Sequence, residues 1–361
     1  MNTNVDDKVN ELVEFFSKKT GWNLARVKFL VAIVCSMCKL QTVNYQKLAQ
    51  GLGGKALLES NLRRIQRFFA EYAVDNDLMA KIVFSLLPHT APLRLSLDRT
   101  NWKFGKTDIN ILAISVCYCG VGIPLLWTML PKTGNSNQQE RIDLIERYIS
   151  LFGIHSIESI LADREFIGDN WIGDLVNKKI HFYFRIKANM KINIPDKGKK
   201  KAFWLFNSLQ LNQPRHYRKI VQIGTQLMYI SGTKVINKKG EIEFVIIATF
   251  SFDSLTMIVY KDRWQIETMF KALKSSGFNM EDTHLSDLKR LSKLLCVLSL
   301  AFIWAYLTGI YRHKNIKPII IKKHGRKAHS FFKYGLVFIA HALLSLIEPD
   351  IQMIVNILSC T

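Results

Sequence analysis

Acidic side chains are scarce in this chain: 29 Asp and Glu stand against 50 Lys and Arg in 361 residues, a formal net charge of +21. Such an imbalance argues against a cationic partner and points to a polyanion, either nucleic acid or an anionic membrane surface. Cysteine offers no scaffold. There are six, with a single CxxC at Cys35 and Cys38 inside the apolar run FLVAIVCSMC and no second pair, which leaves buried thiols rather than a zinc module or a disulfide framework. Cys117 and Cys119 are expected to share one face of a strand. A reducing cytoplasm is the simplest compartment. No signal-peptide pattern opens the chain; MNTNVDDKVNELVEFFSKKT mixes acids with an amphipathic pattern that suits an N-terminal helix. Long uncharged runs are few. LLCVLSLAFIWAYLTGI (294–310) is uncharged over 17 positions, the short end for a membrane span, and contains Ser, Tyr and Thr. GLVFIAHALLSLI (335–347) is shorter. Both read as buried core helices, with a membrane helix as the alternative. An apolar content of 48% and a charged content of 22% exclude a disordered chain, and the length allows two or three domains and one sizeable core.

Periodicity divides the chain. Residues 1–90 read as a helical, DNA-binding region. Within them NYQKLAQGLGGKALLESNLRRIQRFFA (44–70) has the layout helix, glycine turn, helix, and the second helix sets Arg63, Arg64 and Arg67 against Leu62, Ile65 and Phe68. A basic second helix is what enters the major groove in a helix-turn-helix; an ordinary bundle helix is the alternative. PLRLSLD, INILAISVCYC and GIPLLWTML then predict three strands joined as a meander. NSNQQERIDLIERYISLFG predicts a helix capped by Gly153, IESILAD a strand, NWIGDLVNKK a helix and HFYFRIK a strand. Three antiparallel strands followed by helix–strand–helix–strand is the order of a ribonuclease-H-like α/β core, assigned to 91–189 and 251–284. Residues 190–250, with Lys197, Lys199, Lys200 and Lys201 and short β-type runs, read as a mostly β insertion. Residues 285–361 read as a helical C-terminal region, whose basic run over 312–333 is either a solvated tail or a DNA-backbone surface.

Three carboxylates stand out. Asp98 is expected at the end of the strand LRLSLD and Asp163 at the end of ESILAD, and the ends of adjacent strands in an α/β sheet are where ligands bind. Converging carboxylates repel unless a cation lies between them. Glu267 lies in YKDRWQIETMFKALKSSGF (260–278), which reads as one helix closed by Gly277. At roughly 100° per residue, Tyr260, Arg263, Glu267 and Lys274 fall within an arc of about 60°, bordering a buried face of Ile266, Met269, Phe270 and Leu273. The bland reading of this stripe is a pair of solvated i,i+4 contacts. Three carboxylates without His or Cys make a hard oxygen site for Mg²⁺ or Mn²⁺. Two such ions about 4 Å apart suit in-line displacement at a phosphodiester. Arg263 and Lys274 can hold phosphates, and Tyr260 can donate its hydroxyl to one.

Over about residues 55–280 the chain resembles the bacterial insertion-sequence transposases of the DDE class, of the insertion-sequence-four type. Three blocks carry the resemblance: LSLDRTNWKFG (95–105), LADREF (161–166), and the Y-x2-R-x3-E-x6-K spacing of Tyr260, Arg263, Glu267 and Lys274. The resemblance implies Asp98, Asp163 and Glu267 as catalytic metal ligands for two Mg²⁺ or Mn²⁺ ions, and double-stranded DNA ends and target DNA as substrates. It also implies a homodimer and cut-and-paste transposition: magnesium-dependent nicking, hairpin formation by the freed 3′-hydroxyl, reopening, and joining to target. Relatives carry a mostly β insertion whose tryptophan can stack a flipped base. Trp204 is the candidate here, against an ordinary core tryptophan, and Trp102 and Trp264 are expected to be packing residues. A structure-selective nuclease with the same site, or a decayed DNA-binding protein, are the alternatives.

Overall fold

The computed structural model describes residues 9–88, 92–323 and 325–359. The first residues of the expected N-terminal helix and the expected boundary at 90/91 lie outside them. Five helices come first: α1 (Asn10–Thr20), α2 (Leu24–Leu40), α3 (Tyr45–Gly51), α4 (Leu58–Glu71) and α5 (Asn76–Ser85). Short polar side chains start several of them. Asn23, Asn44 and Asp75 each accept backbone N–H bonds from the first turn that follows, satisfying donors that the helix itself leaves open.

The strands then form one sheet. They are β1 (Leu93–Phe104), β2 (Thr107–Tyr118), β3 (Val121–Met129), then helix α6 (Gln138–Phe152), β4 (Ile157–Ala162), α7 (Asp169–Asn177) and β5 (Phe182–Ile186). Helix α6 opens with a reciprocal capping box between Asn137 and Glu140. After it come β6 (Lys191–Ile194), β7 (Gly198–Lys201), β8 (Arg215–Ile223), β9 (Gln226–Ile236) and β10 (Ile242–Thr249). The sheet has ten strands in the order β3-β2-β1-β4-β5-β10-β9-β8-β6-β7. Strands β1, β2 and β3 are antiparallel, and β1, β4 and β5 are parallel. This is the ribonuclease-H-like arrangement. Residues 190–250 do not form a separate sheet: β10 pairs with β5 and continues the core sheet outward. The sequence signal for an insertion was a loss of alternating helix–strand rhythm, which does not reveal that its last strand returns to the core edge.

After a short helix α8 (Thr256–Val259) the chain enters the stretch that carries Glu267. It is not one regular helix. Tyr260–Arg263 is a 3₁₀ turn, α9 (Trp264–Lys271) is α-helical, and Ala272–Ser276 is a π turn. A fixed 100° per residue therefore fails across it. Gly277 ends it at φ −138°, ψ −79°, not as a left-handed cap; a Cβ there would stand 2.4 Å from the Ala272 carbonyl. Helix α9 packs on β3, β1 and β2. Gly122 on β3 lets it come close, because a Cβ there would sit 3.0 Å from the Gln265 carbonyl.

Three more helices follow: α10 (Leu288–Asn315), α11 (Phe331–Ser345) and α12 (Glu348–Ser359). Helix α10 is the one element among the described residues long and apolar enough to cross a membrane, yet 89% of its apolar window is buried inside the protein. It packs against α2, α4, α5 and β3 as well as α11 and α12, so the helices from both ends of the chain form one body. Polar tips anchor it: Trp304 Nε1 donates to the Ile354 carbonyl at 2.7 Å, Tyr306 Oη to the Tyr118 carbonyl at 2.6 Å, and Trp127 Nε1 to Ser292 Oγ at 3.0 Å. Helices α10 and α11 touch backbone to backbone, since a Cβ on Gly335 would lie 1.8 Å from the Ala305 carbonyl and one on Gly309 1.8 Å from that of Phe331. Cys35 and Cys38 are buried as expected; Cys119 is exposed beyond the end of β2, at φ 48°, and does not share a strand face with Cys117.

Candidate active site

Strand β1 does not end at Asp98; it runs six residues further, to Phe104, paired with β2. What ends there is its parallel pairing with β4, whose last register pair is Leu97 with Ala162. Asp98 and Asp163 are the next residue on each strand, on chains about 4.8 Å apart. Asp163 leads into a 3₁₀ turn at Arg164–Phe166.

Glu267 joins them through Arg263. One guanidinium nitrogen of Arg263 donates to Asp98 Oδ2 at 3.3 Å, and the other to Glu267 Oε1 at 2.5 Å. The guanidinium is buried, with its side chain 8% exposed, and the rings of Tyr260 and Trp264 lie 5.9 and 5.7 Å from it. Ser96, two residues before Asp98, donates its hydroxyl to the Arg263 carbonyl at 3.2 Å, tying the start of α9 to β1. Arg94, two residues earlier again, reaches both Glu158 at 2.7 Å and Asp262 at 2.8 Å.

The electrostatics follow. Burial pushes the Asp98 carboxyl up to about 7; the Arg99 N–H and Arg263 oppose the shift, while Glu165 and Glu267 add to it. Asp163 Oδ1 is buried and makes no hydrogen bond, and neither does the Tyr260 hydroxyl. Burial drives the Tyr260 phenol well above its ordinary value; Arg263 opposes the shift and the charge of Asp163 adds to it. Lys274 lies apart from this cluster. Its ammonium donates to the Asn101 carbonyl at 3.1 Å, pairs with Glu281 at 2.8 Å and sits 5.4 Å from the Trp102 ring. The π turn aims it at the far half of β1. Trp102 is half-buried beneath that ammonium, but Trp264 is 58% exposed and is not a packing residue. Trp204 is 44% exposed, with the Lys197 ammonium 4.9 Å from its ring, which excludes an ordinary core tryptophan. Arg63, Arg64 and Arg67 all lie on the exposed face of α4; Arg64 also stacks over Phe29 at 4.7 Å. The basic run over 312–333 is partly packed: Arg312 lies 4.2 Å from the Phe338 ring and Lys327 3.8 Å from that of Phe331.

The model of the transposase DDE domain matches residues 89–304, more than half of the chain. The chain belongs to the DDE-domain transposase family. A cryo-EM structure titled as the piggyBac transposase synaptic complex with hairpin DNA is similar at a TM-score of 0.45 and 12% identity, covering 95% of this chain and 78% of that one. No curated protein matches the chain.

A divalent cation fits the aspartate end of this transposase site. The donors are hard carboxylate oxygens, one of them buried and unpartnered at Asp163, and the other aspartate is raised by burial and by neighbouring carboxylates. The full set of three is not gathered as folded: among the described residues no three His, Cys, Asp or Glu side chains stand together as a cation site, and the Arg263 guanidinium lies between Asp98 and Glu267. Sequence reasoning missed the supports. Ser96, Arg94 and Asp262 carry no motif signal, and Arg99 was visible only as the residue after Asp98. In the fold Arg99 reaches Glu165, the second residue after Asp163, at 3.4 Å, and Asn110 at 3.0 Å, so the two aspartate blocks are pinned together.

Proposed function

We propose that this protein is a DNA transposase of the bacterial insertion-sequence-four type, which cuts and joins DNA strands at Asp98, Asp163 and Glu267. The observation that carries the reading is the arrangement of the three carboxylates: strand register sets Asp163 beside Asp98, and one guanidinium touches both Asp98 and Glu267. Two Mg²⁺ or Mn²⁺ ions held by these residues would supply charge stabilisation at the attacking and leaving oxygens of the phosphodiester. The chain's own groups do the rest. Arg263 offers a fork of donors to a phosphate, Tyr260 a buried hydroxyl beside the aspartates, and Lys274 a point charge further along β1. Arg63, Arg64 and Arg67 present a basic face to a DNA groove, and exposed Trp204 offers a ring for an unstacked base. The protein works as a homodimer on paired element ends in the bacterial cytoplasm and passes through a hairpin.

The test sequences the DNA that flanks the gene for inverted repeats and uses those ends with a supercoiled plasmid as target and Mg²⁺. Joined product together with hairpin ends supports the reading. Nicking without any joined product would make the protein a structure-selective nuclease. Cleavage surviving in Asp98→Asn, Asp163→Asn or Glu267→Gln would overturn the assignment of the site. A triple Arg63/Arg64/Arg67→Gln variant that binds the repeats as tightly as the parent would remove α4 from the DNA interface.

A further inference from the structure

We propose that Arg263 is a displaceable internal counter-cation: until DNA binds, its guanidinium occupies the carboxylate oxygens of Asp98 and Glu267 that a divalent ion needs, and a DNA phosphate draws it away. The inference rests on the proposed reading of Asp98, Asp163 and Glu267 as metal ligands, and it adds a coupling between DNA and metal that this reading does not contain.

The geometry leaves little room for both cations. Asp98 Oδ1 accepts its neighbour's backbone N–H, from Arg99 at 2.7 Å, and Arg263 holds Oδ2. The same guanidinium holds Glu267 Oε1. A divalent ion on these oxygens would stand within a few ångströms of a buried positive charge, with nothing but donors on the arginine's side. Removing the arginine without replacement is equally unfavourable, because like-charged carboxylates that face each other in a buried site repel. The site therefore takes one cation or the other. A phosphodiester resolves the choice: it offers the guanidinium a bidentate anionic partner, the contact for which a planar fork is best suited. The arginine has a fixed base from which to swing, since its backbone carbonyl is bonded to Ser96 on β1, while among the described residues its head is held by the two carboxylates and by the faces of Tyr260 and Trp264. Trp264 is exposed, so the path from the carboxylates to a strand lying on the surface is short.

Linkage then requires that DNA and divalent cation each strengthen the binding of the other. Without DNA the cluster stays filled by Arg263, and the chain does not assemble a loaded site for stray hydrolysis.

The experiment measures Mn²⁺ binding to the full-length protein by calorimetry and by the electron paramagnetic resonance of free Mn²⁺, with and without a duplex of element-end sequence. The parent is expected to bind Mn²⁺ about tenfold or more tightly when the duplex is present. Arg263→Gln, without DNA, is expected to bind it about tenfold more tightly than the parent, and the duplex is expected to add little further. An affinity in Arg263→Gln equal to or weaker than that of the parent overturns the inference. So does an unchanged parent affinity on adding duplex, a measurement that needs no variant to fold. Glu267→Gln, Asp98→Asn and Asp163→Asn separate the two levels. If these weaken Mn²⁺ binding while Arg263→Gln fails to strengthen it, only the counter-cation role falls. If they leave Mn²⁺ binding unchanged, the ligand assignment beneath it falls as well.

Discussion

The two halves of the ten-stranded sheet are built on opposite terms. In the core half, β2, β3 and β4 are buried along most of their length: eight consecutive residues of β2, seven of β3 and four of β4 are inside, as expected where helices cover both faces. In the outer half, β6 alternates exposed and buried residue by residue, and all four residues of β7, Gly198–Lys201, are exposed. The first half can hold carboxylates in fixed register and low dielectric. The second displays Lys199, Lys200 and Lys201 on an edge strand, where charge also discourages pairing with another chain. A rigid apolar half thus carries the proposed chemistry, and a solvated basic half offers contact with a polyanion.

The comparison breaks most sharply at Asp98, Asp163 and Glu267. Neutral amides there are expected to lower strand cleavage by about a thousandfold or more while leaving DNA affinity in place, since they remove electrostatic stabilisation and not the binding surface; gel-resolved cleavage beside an electrophoretic mobility shift reads both. If affinity fell in step with cleavage, the division between the halves would be lost. Next in size is Gly335→Leu. With the Ala305 carbonyl 1.8 Å from where a Cβ would be, the helices behind the core half cannot close, and a loss of about 3 kcal/mol or more is expected in a denaturant melt. A Leu placed at exposed Gly240, where the surroundings are open and the positive φ of 81° leaves only backbone strain, costs less. The outer half is tested by changing Lys199, Lys200 and Lys201 together to Gln. For every DNA phosphate that these lysines neutralise, the salt slope of binding is expected to fall by about 0.9 in the variant, with the Mn²⁺ affinity of the core half unaltered.

A last test concerns Asp98 itself. Its carboxyl is pushed from 3.8 up to about 7 in the folded chain. Between these values the folded form holds a proton that the unfolded form has lost, and a bound proton favours the state that holds it. This group's contribution to the stability of chelator-treated protein is therefore fully present below about pH 3.8 and is lost as the pH rises to about 7. Asp98→Asn is expected to flatten that slope in thermal melts taken across the range. An unchanged slope would place the titration elsewhere.

Much of this was legible in the residues. A period-2 run marked β1, two apolar runs about a glycine-containing turn marked β2 and β3, and the spacing of Tyr260, Arg263, Glu267 and Lys274 singled out the segment that packs over Asp98. Other features were not. The stripe drawn from a regular helix fails because Tyr260–Arg263 tightens to 3₁₀ and Ala272–Ser276 widens to π, adjustments set by what each turn must reach: the Asp98–Asp163 cluster at one end, Asn101 and Glu281 at the other. Residues 190–250 are mostly β, and the pairing of their last strand, β10, with β5 is a long-range choice that no local pattern records. Trp264 looked like packing because tryptophan usually is; only the orientation of α9 on β3 turns it outward.

By itself, the sequence determined the basic excess, the apolar runs that build the core half, the burial of residues 294–310, and which three carboxylates are proposed for the site, because these depend on residue type and on neighbours a few positions away. Tertiary structure alone decided that Asp98 and Asp163 stand side by side, that Arg263 lies between Asp98 and Glu267, and that the insertion extends the core sheet. Those are relations between segments separated by 60 to 169 positions, and distance along a chain says nothing about distance in space until strand register and helix packing have closed it.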